Sequence, residues 1–183
     1  MISHKLKYLF LHPNKCGGKS IENAIWSIPP KPGSSDHRVL SEYIDKHGDV
    51  VLGYYKFMFC RNPWDRLVSI YYGRKQLLKV NMPTFDRFII EADPNKAPTK
   101  SQTSWLKVEG EIIKPNFLGR FETYKKDWST LSSFLDINLK LPHLNKSDHK
   151  PYYELYNKKL INIVFEKYKE DIEYFEYSFR SDM

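Results

Sequence analysis

Cysteine is scarce in this sequence, and long hydrophobic runs are missing from it. Only Cys16 and Cys60 occur among the 183 residues, too few for the disulfide framework that stabilises many small secreted domains. The apolar run near the N-terminus ends by residue 12 and is too short for a signal peptide or a membrane anchor. We therefore expect a soluble cytoplasmic protein without a transmembrane segment.

The chain also lacks a basic tail, a block of like charges and any tract depleted in aromatic residues. Without such a block, the formal net charge of +7 favours a compact anionic ligand over nucleic acid. Hydrophobic residues make up 41% of the chain and aromatic residues 15%, which is enough for a core of its own. We expect one globular domain over residues 1–183 and no nucleic-acid partner.

Metal-ligand patterns are missing as well. His143 and His149 are separated by polar residues, and no cysteine or acidic cluster joins them at metal-ligand spacing. The sequence therefore predicts no metal site.

Two strand-to-helix units are predicted in the first half of the chain. Residues 8–11 form an apolar run that stops before Pro13, as a buried parallel strand does, and apolar residues then recur at helical spacing over residues 20–28. Residues 56–61 predict a second buried strand, and the apolar pattern after Pro63 predicts the next helix. Two such units indicate a parallel sheet and therefore an α/β fold.

The rest of the chain contains further predicted elements. These are helices over residues 39–44, 85–92 and 127–135, a strand over 116–119, and polar loops over 29–36 and 93–100. The most regular pattern lies near the C-terminus, where apolar residues keep helical phase over residues 152–171. This pattern predicts one long helix.

The loop of residues 14–20 is suited to binding an anion. Gly17 and Gly18 allow close approach of the backbone, and Lys15 and Lys19 add positive charge. The loop also precedes a predicted helix, whose first N–H groups are free to donate. These features favour phosphate or sulfate binding over a glycine turn that only connects two elements.

An ATP-binding loop is the obvious alternative, because GGKS also ends the motif G-x-x-x-x-G-K-[ST]. That motif requires glycine at position 13, where the chain has proline, and the next predicted strand offers no acidic residue to hold magnesium. A P-loop kinase is therefore the less favoured alternative. A non-catalytic module that binds anions with the same loop is another.

Arg61 and Ser69 form a second candidate site. Arg61 ends a predicted strand, and Ser69 lies two turns into the next predicted helix. Arginine binds a terminal phosphate through its planar fork, and a hydroxyl can complete the site. The structural alternative is an ion pair of Arg61 with Asp65 or Glu122.

Together, these motifs resemble those of the carbohydrate-type sulfotransferases (sulfotransferase family 2), which use 3′-phosphoadenosine-5′-phosphosulfate (PAPS). That family's loops read approximately PKTGGTS and RNPWDRLVS, and this chain has PNKCGGKS at residues 13–20 and RNPWDRLVS at residues 61–69. The segments SQTSWL, GRFETYKKD, LPHLNKS and KEDIEYFEYSF also resemble the family's, in the same order. The main departure is Lys19, where threonine is usual.

The resemblance implies a P-loop-like, three-layer α/β fold with a central, mainly parallel sheet flanked by helices. It implies in-line transfer of the sulfuryl group from PAPS to a hydroxyl acceptor, expected to be a carbohydrate, with release of 3′,5′-adenosine bisphosphate and no metal. The residues expected at the 5′-phosphosulfate are Lys15, Cys16, Gly17, Gly18, Lys19 and Ser20. Arg61 and Ser69 are expected at the 3′-phosphate, and Lys15 would neutralise the departing phosphate oxygen.

The reaction also needs a base for the acceptor proton, and histidine suits this role. His37 is the first candidate, since related sulfotransferases place a histidine before the second nucleotide-binding strand. Asp36 and Glu22 are the next candidates. His12 follows a buried strand and is expected to pack or hydrogen-bond beneath the loop.

Two later segments could add ligand contacts. Gln102 and Trp105 could touch adenine or the acceptor, with core packing as the alternative for Trp105. Lys146 and Ser147 could close over the donor.

Overall fold

Strands and helices are interspersed along the chain. The computed structural model describes residues 1–26, 35–78, 82–136 and 150–180. The strands are β1 (Ile2–Ser3), β2 (Tyr8–Leu11), β3 (Tyr55–Cys60), β4 (Lys107–Val108), β5 (Glu111–Ile112) and β6 (Phe117–Arg120). The helices are α1 (Gly18–Trp26), α2 (Leu40–His47), α3 (Pro63–Leu78), α4 (Phe85–Glu91), α5 (Tyr124–Phe134), α6 (Lys158–Lys167) and α7 (Lys169–Tyr174). Short 3₁₀ turns span Asp49–Gly53, Gln102–Trp105 and Tyr152–Glu154.

Within the described residues, the main sheet has four strands in the order β1-β2-β3-β6. Strands β2, β3 and β6 are parallel, and β1 pairs with β2 in the antiparallel direction. The last three residues of β2 and the last five of β3 are buried without alternation, as expected of parallel strands covered on both faces. The predicted α/β class with a central, mostly parallel sheet flanked by helices is therefore confirmed. The P-loop-like, three-layer arrangement stays a prediction.

The described residues divide into two compact units. One contains the residues up to Cys60 and those from Gln102 to position 136, and the other contains Arg61–Ser101 and the residues from position 150 onward. The expectation of a single domain over residues 1–183 stays a prediction.

The first unit is built on one aromatic face of the sheet. Phe10 pairs in register with Phe57, and Phe57 with Phe117, so their side chains lie on the same face. Apolar residues of α1 and α5 join Phe10 and Phe57 in one core: Ile21, Ala24, Trp128 and Leu131. Cys16, from the loop before α1, belongs to the same core. The loop is thereby attached to the sheet by apolar burial.

The second unit has an apolar core and a buried arginine. Its core combines residues of α3, α4, α6 and α7, among them Trp64, Val68, Ile89, Leu160, Val164 and Ile172. Arg66 is 0% exposed, and its Nη2 donates to the carbonyl oxygens of Lys100 at 2.7 Å and Pro98 at 3.3 Å. These bonds satisfy buried donors and hold the predicted polar loop of residues 93–100 in place.

The prediction of a single long helix over residues 152–171 is wrong. Helix α6 begins only at Lys158, where the side chain of Asn157 accepts a hydrogen bond from the backbone N–H of Leu160 at 3.0 Å. Tyr168, with φ −117° and ψ 26°, ends α6 and precedes α7. The apolar phase continues across this break because residues on both sides pack into the same core. Periodicity reports which face is buried, not whether backbone hydrogen bonds continue.

The other predicted strands and helices that fall in the described residues are confirmed, with ends shifted by a few residues. Strand β1 and the β4–β5 hairpin were not predicted, because strands of 2 residues are too short to show a period. The predicted loop over 29–36 lies outside the described residues as far as position 34, and so do His143, Lys146, Ser147 and His149.

No helix in the described part of the chain combines the length and the hydrophobicity needed to cross a lipid bilayer.

Candidate functional site

The loop between β2 and α1 contains two residues with left-handed backbone. Lys15 has φ 66° and Gly17 has φ 81°, and the N–H of Ser20 donates to the carbonyl of Gly17 at 3.1 Å. Left-handed residues just before a helix are typical of backbone sites that present N–H groups to an anion. For Lys15 this conformation costs roughly 1–2 kcal/mol, a strain of the kind found at functional sites.

Gly18 is required by packing against His12. A Cβ atom at position 18 would lie 2.0 Å from Cδ2 and Nε2 of the His12 ring, far inside van der Waals contact. From the sequence, both glycines are expected to allow close approach of a ligand. In the structure, Gly17 is needed because its φ is positive, and Gly18 is needed because the His12 imidazole lies beside it.

His12 and Glu22 form a buried pair beneath the loop. Nδ1 of His12 lies 2.9 Å from Oε1 of Glu22, and the two side chains are 3% and 2% exposed. Burial lowers the pKa of His12 to about 4 against the opposing effect of Glu22. Burial raises the pKa of Glu22, but the hydrogen bonds it accepts, first from His12, outweigh this and hold the pKa below its ordinary value. Glu22 is therefore ionised and His12 neutral at pH 7.

This pair predicts a loss of stability on mild acidification. The folded-state pKa of His12, about 4, lies below its unfolded value of about 6.5, so the unfolded chain binds more protons between these values. The free energy of unfolding should fall by about 2 kcal/mol between about pH 7 and pH 5, as measured by urea denaturation. His12→Asn, whose amide can donate to Glu22 without titrating, should show a shallower dependence. Equal slopes for the two proteins would contradict the prediction.

His37 lies beside this pair and is half-buried. Its Nδ1 is 2.8 Å from the carbonyl oxygen of His12, and the two imidazole rings are 4.4 Å apart at their centroids. A carbonyl oxygen only accepts hydrogen bonds, so Nδ1 of His37 carries a proton. Nε2 is then the ring nitrogen left to take a proton from another group.

The other two candidate bases, Asp36 and Glu22, are carboxylates that already accept hydrogen bonds from neighbouring side chains. Oδ1 and Oδ2 of Asp36 accept from Nε and Nη2 of Arg38 at 2.9 and 2.6 Å, and Oδ2 also accepts from the Tyr43 hydroxyl at 2.9 Å. Burial acts to raise the pKa of Asp36, but these bonds, first those from Arg38, hold it far below its ordinary value. Glu22 is bonded to His12 and has a lowered pKa. Both carboxylates are weak proton acceptors.

The 3₁₀ turn Gln102–Trp105 contacts both the loop and the backbone of His37. The thiol of Cys16 donates to Oε1 of Gln102 at 3.1 Å, and Nε1 of Trp105 donates to the carbonyl of His37 at 3.1 Å. Gln102 is 0% and Trp105 2% exposed. Trp105 is therefore packed in the core, which was the alternative considered from the sequence, and its ring has no open face for stacking. This supporting role was missed because 86 residues separate Cys16 from Gln102.

Arg61 and Ser69 belong to the second unit. Nε of Arg61 donates to Oδ2 of Asp65 at 2.7 Å, so the ion pair with Asp65 considered from the sequence is present. Ser69 lies in α3 and is 2% exposed.

The model of the sulfotransferase family matches residues 2–178. A search of the curated proteins and a search of the solved structures found no match. Because the family model extends over nearly the whole chain, this protein belongs to the sulfotransferase family.

Proposed function

We propose that the protein transfers the sulfuryl group of PAPS to a hydroxyl group of a carbohydrate acceptor. The observation that carries this proposal is the loop before α1, with left-handed Lys15 and Gly17, together with His37, whose Nδ1 donates to the His12 carbonyl and leaves Nε2 to accept a proton. Membership of the sulfotransferase family supports sulfuryl transfer in general. The net charge of +7 favours an acidic glycan among possible acceptors.

In this proposal, the loop binds the 5′-phosphosulfate. The residues involved are Lys15, Cys16, Gly17, Gly18, Lys19 and Ser20. Backbone N–H groups at the start of α1 and the two lysine side chains would bind the anionic oxygens. Lys15 would stabilise the charge that develops on the phosphate oxygen as its bond to sulfur breaks.

The proposed base is His37. The acceptor oxygen forms a bond to sulfur, the bond from sulfur to the phosphate oxygen breaks, and 3′,5′-adenosine bisphosphate leaves with the electron pair. Nε2 of His37 takes the acceptor proton, while the hydrogen bond from Nδ1 to the His12 carbonyl fixes the ring. His37 is preferred to Asp36 and Glu22, because both carboxylates have lowered pKa values.

Arg61 and Ser69 are proposed to bind the 3′-phosphate. This group distinguishes PAPS from ATP, and a guanidinium binds it by charge-assisted hydrogen bonds. The support for this assignment is the RNPWDRLVS segment of residues 61–69, together with the pairing of Arg61 Nε to Asp65, which orients the guanidinium group.

Arg61→Ala should weaken binding of 3′,5′-adenosine bisphosphate by about 1.5–3 kcal/mol, the usual contribution of a charged hydrogen bond. The matched control is Arg87→Ala, since Arg87 Nε pairs with Glu91 at 2.7 Å in the same i,i+4 arrangement but on an exposed surface. The control should change the affinity by less than about 0.5 kcal/mol. If Arg61→Ala lowers only the stability and not the calorimetric affinity, the ion pair with Asp65 is structural.

Calorimetry with nucleotides tests the function itself. We expect 3′,5′-adenosine bisphosphate to bind without added metal. Tight binding of ATP with magnesium, together with no binding of the bisphosphate, would instead support the P-loop kinase. A protein that binds the bisphosphate but transfers label from PAPS to no hydroxyl acceptor in a glycan screen would be the non-catalytic module.

A further inference from the structure

Tyr124, near the start of α5, contacts the loop that precedes α1. Its hydroxyl donates to the carbonyl oxygen of Gly17 at 2.6 Å. A Cβ atom at position 17 would lie 2.7 Å from Cζ of the Tyr124 ring. The tyrosine therefore touches Gly17 through both its ring and its hydroxyl, although 107 residues separate the two in the chain.

The Gly17 carbonyl accepts two hydrogen bonds, which together fix the orientation of one peptide group. The first comes from the N–H of Ser20 at 3.1 Å and the second from Tyr124. This peptide group joins the left-handed Gly17 to Gly18, so its orientation decides where the N–H of Gly18 points. A flip of this peptide would disrupt the backbone N–H arrangement on which anion binding depends.

The tyrosine is held from its other side by aromatic packing. Its ring meets that of Phe59, on β3, at 5.2 Å and 74°, and that of Phe121 at 5.6 Å. The first pair is edge-to-face and the second is tilted, and aromatic pairs of favourable geometry stabilise the position of the ring. Burial raises the pKa of Tyr124, so the phenol keeps its proton and remains a donor at neutral pH.

We propose that Tyr124 is a positioning residue of the donor site, which holds the Gly17–Gly18 peptide in the orientation that binds the phosphosulfate of PAPS. The inference rests on the function proposed above. It assigns to the GRFETYKKD segment a role in donor binding that acts through Gly17 and through the side chain of Ser20, which also shares a hydrogen bond with Tyr124, with no direct contact to the donor required.

The test is Tyr124→Phe, which removes the hydroxyl and keeps the ring. We expect the dissociation constant of 3′,5′-adenosine bisphosphate and of PAPS to rise roughly five- to tenfold, as the loss of a neutral hydrogen bond implies. We also expect the amides of residues 17–20 to exchange with solvent hydrogen several-fold faster in the ligand-free protein. Calorimetry and hydrogen-exchange mass spectrometry give the two readouts.

Tyr168→Phe is the matched control. The Tyr168 hydroxyl also donates to a backbone carbonyl, that of Thr99 at 2.8 Å, and the side chain is buried, so its loss removes a comparable bond outside the loop. The control should lower the thermal midpoint to a similar extent while the nucleotide affinity and the exchange of residues 17–20 stay at wild-type values. Such a result would separate positioning of the loop from general stability.

Two outcomes would overturn the inference, and they can be told apart. If the wild-type protein binds the bisphosphate and Tyr124→Phe binds it within twofold, the positioning role alone is wrong. If the wild-type protein binds neither bisphosphate nor PAPS, the proposed function fails and the inference fails with it.

Discussion

His37→Ala is expected to lower the rate of sulfuryl transfer by roughly 10²–10⁴-fold, the usual contribution of a general base, while 3′,5′-adenosine bisphosphate binds as before. The reason is that His37 offers Nε2 to the acceptor while Nδ1 donates to the His12 carbonyl. Transfer of label from PAPS measures the rate, and calorimetry measures nucleotide binding.

Two further variants separate the base from its anchoring bond. His37→Asn can still donate to the His12 carbonyl but cannot accept the acceptor proton, so it should lose transfer as fully as His37→Ala. His4→Ala removes an exposed histidine that is bonded to Tyr54 at 2.8 Å, and it should keep wild-type transfer. An active His37→Asn variant would refute the base assignment and leave the family membership intact.

Gly18→Ala is expected to destabilise the protein by about 2–6 kcal/mol and to abolish measurable donor binding. The added methyl group would lie 2.0 Å from the imidazole of His12, so either the loop or the ring must move. Overpacking of this kind costs about 1–3 kcal/mol, and breaking the buried His12–Glu22 hydrogen bond adds about 1–3 kcal/mol. Urea denaturation and calorimetry with 3′,5′-adenosine bisphosphate measure the two effects.

Gly53→Ala is the control for this substitution. Gly53 is exposed, and a Cβ atom there would meet nothing within 4 Å, so the free energy of unfolding should change by less than about 0.5 kcal/mol. If Gly18→Ala unfolds at the same urea concentration as Gly53→Ala and binds the nucleotide equally well, the contact with His12 does not constrain the loop.

Near the C-terminus, the apolar spacing predicts which residues are buried but not where a helix ends. The apolar spacing identified correctly that Leu160, Val164 and Ile172 face one core. It gave no sign of the break at Tyr168, since the two helices continue the same buried stripe. At the other end of α6, Asn157 is a favoured N-cap residue, and it marks the true start of this helix.

Local order along the chain was enough to predict the parallel sheet, the loop before α1 and the family. The informative features were apolar runs, glycines next to lysines, and motifs read along the chain. The folded chain was needed to see that His12 pairs with Glu22, that His37 donates from Nδ1, and that Gln102 and Tyr124 support the loop. The contacts of Gln102 and Tyr124 with the loop join residues that are far apart in the sequence. Hydrogen bonds form between atoms about 3 Å apart, and residues separated by 86 or 107 positions reach that distance only once the sheet has brought their segments together.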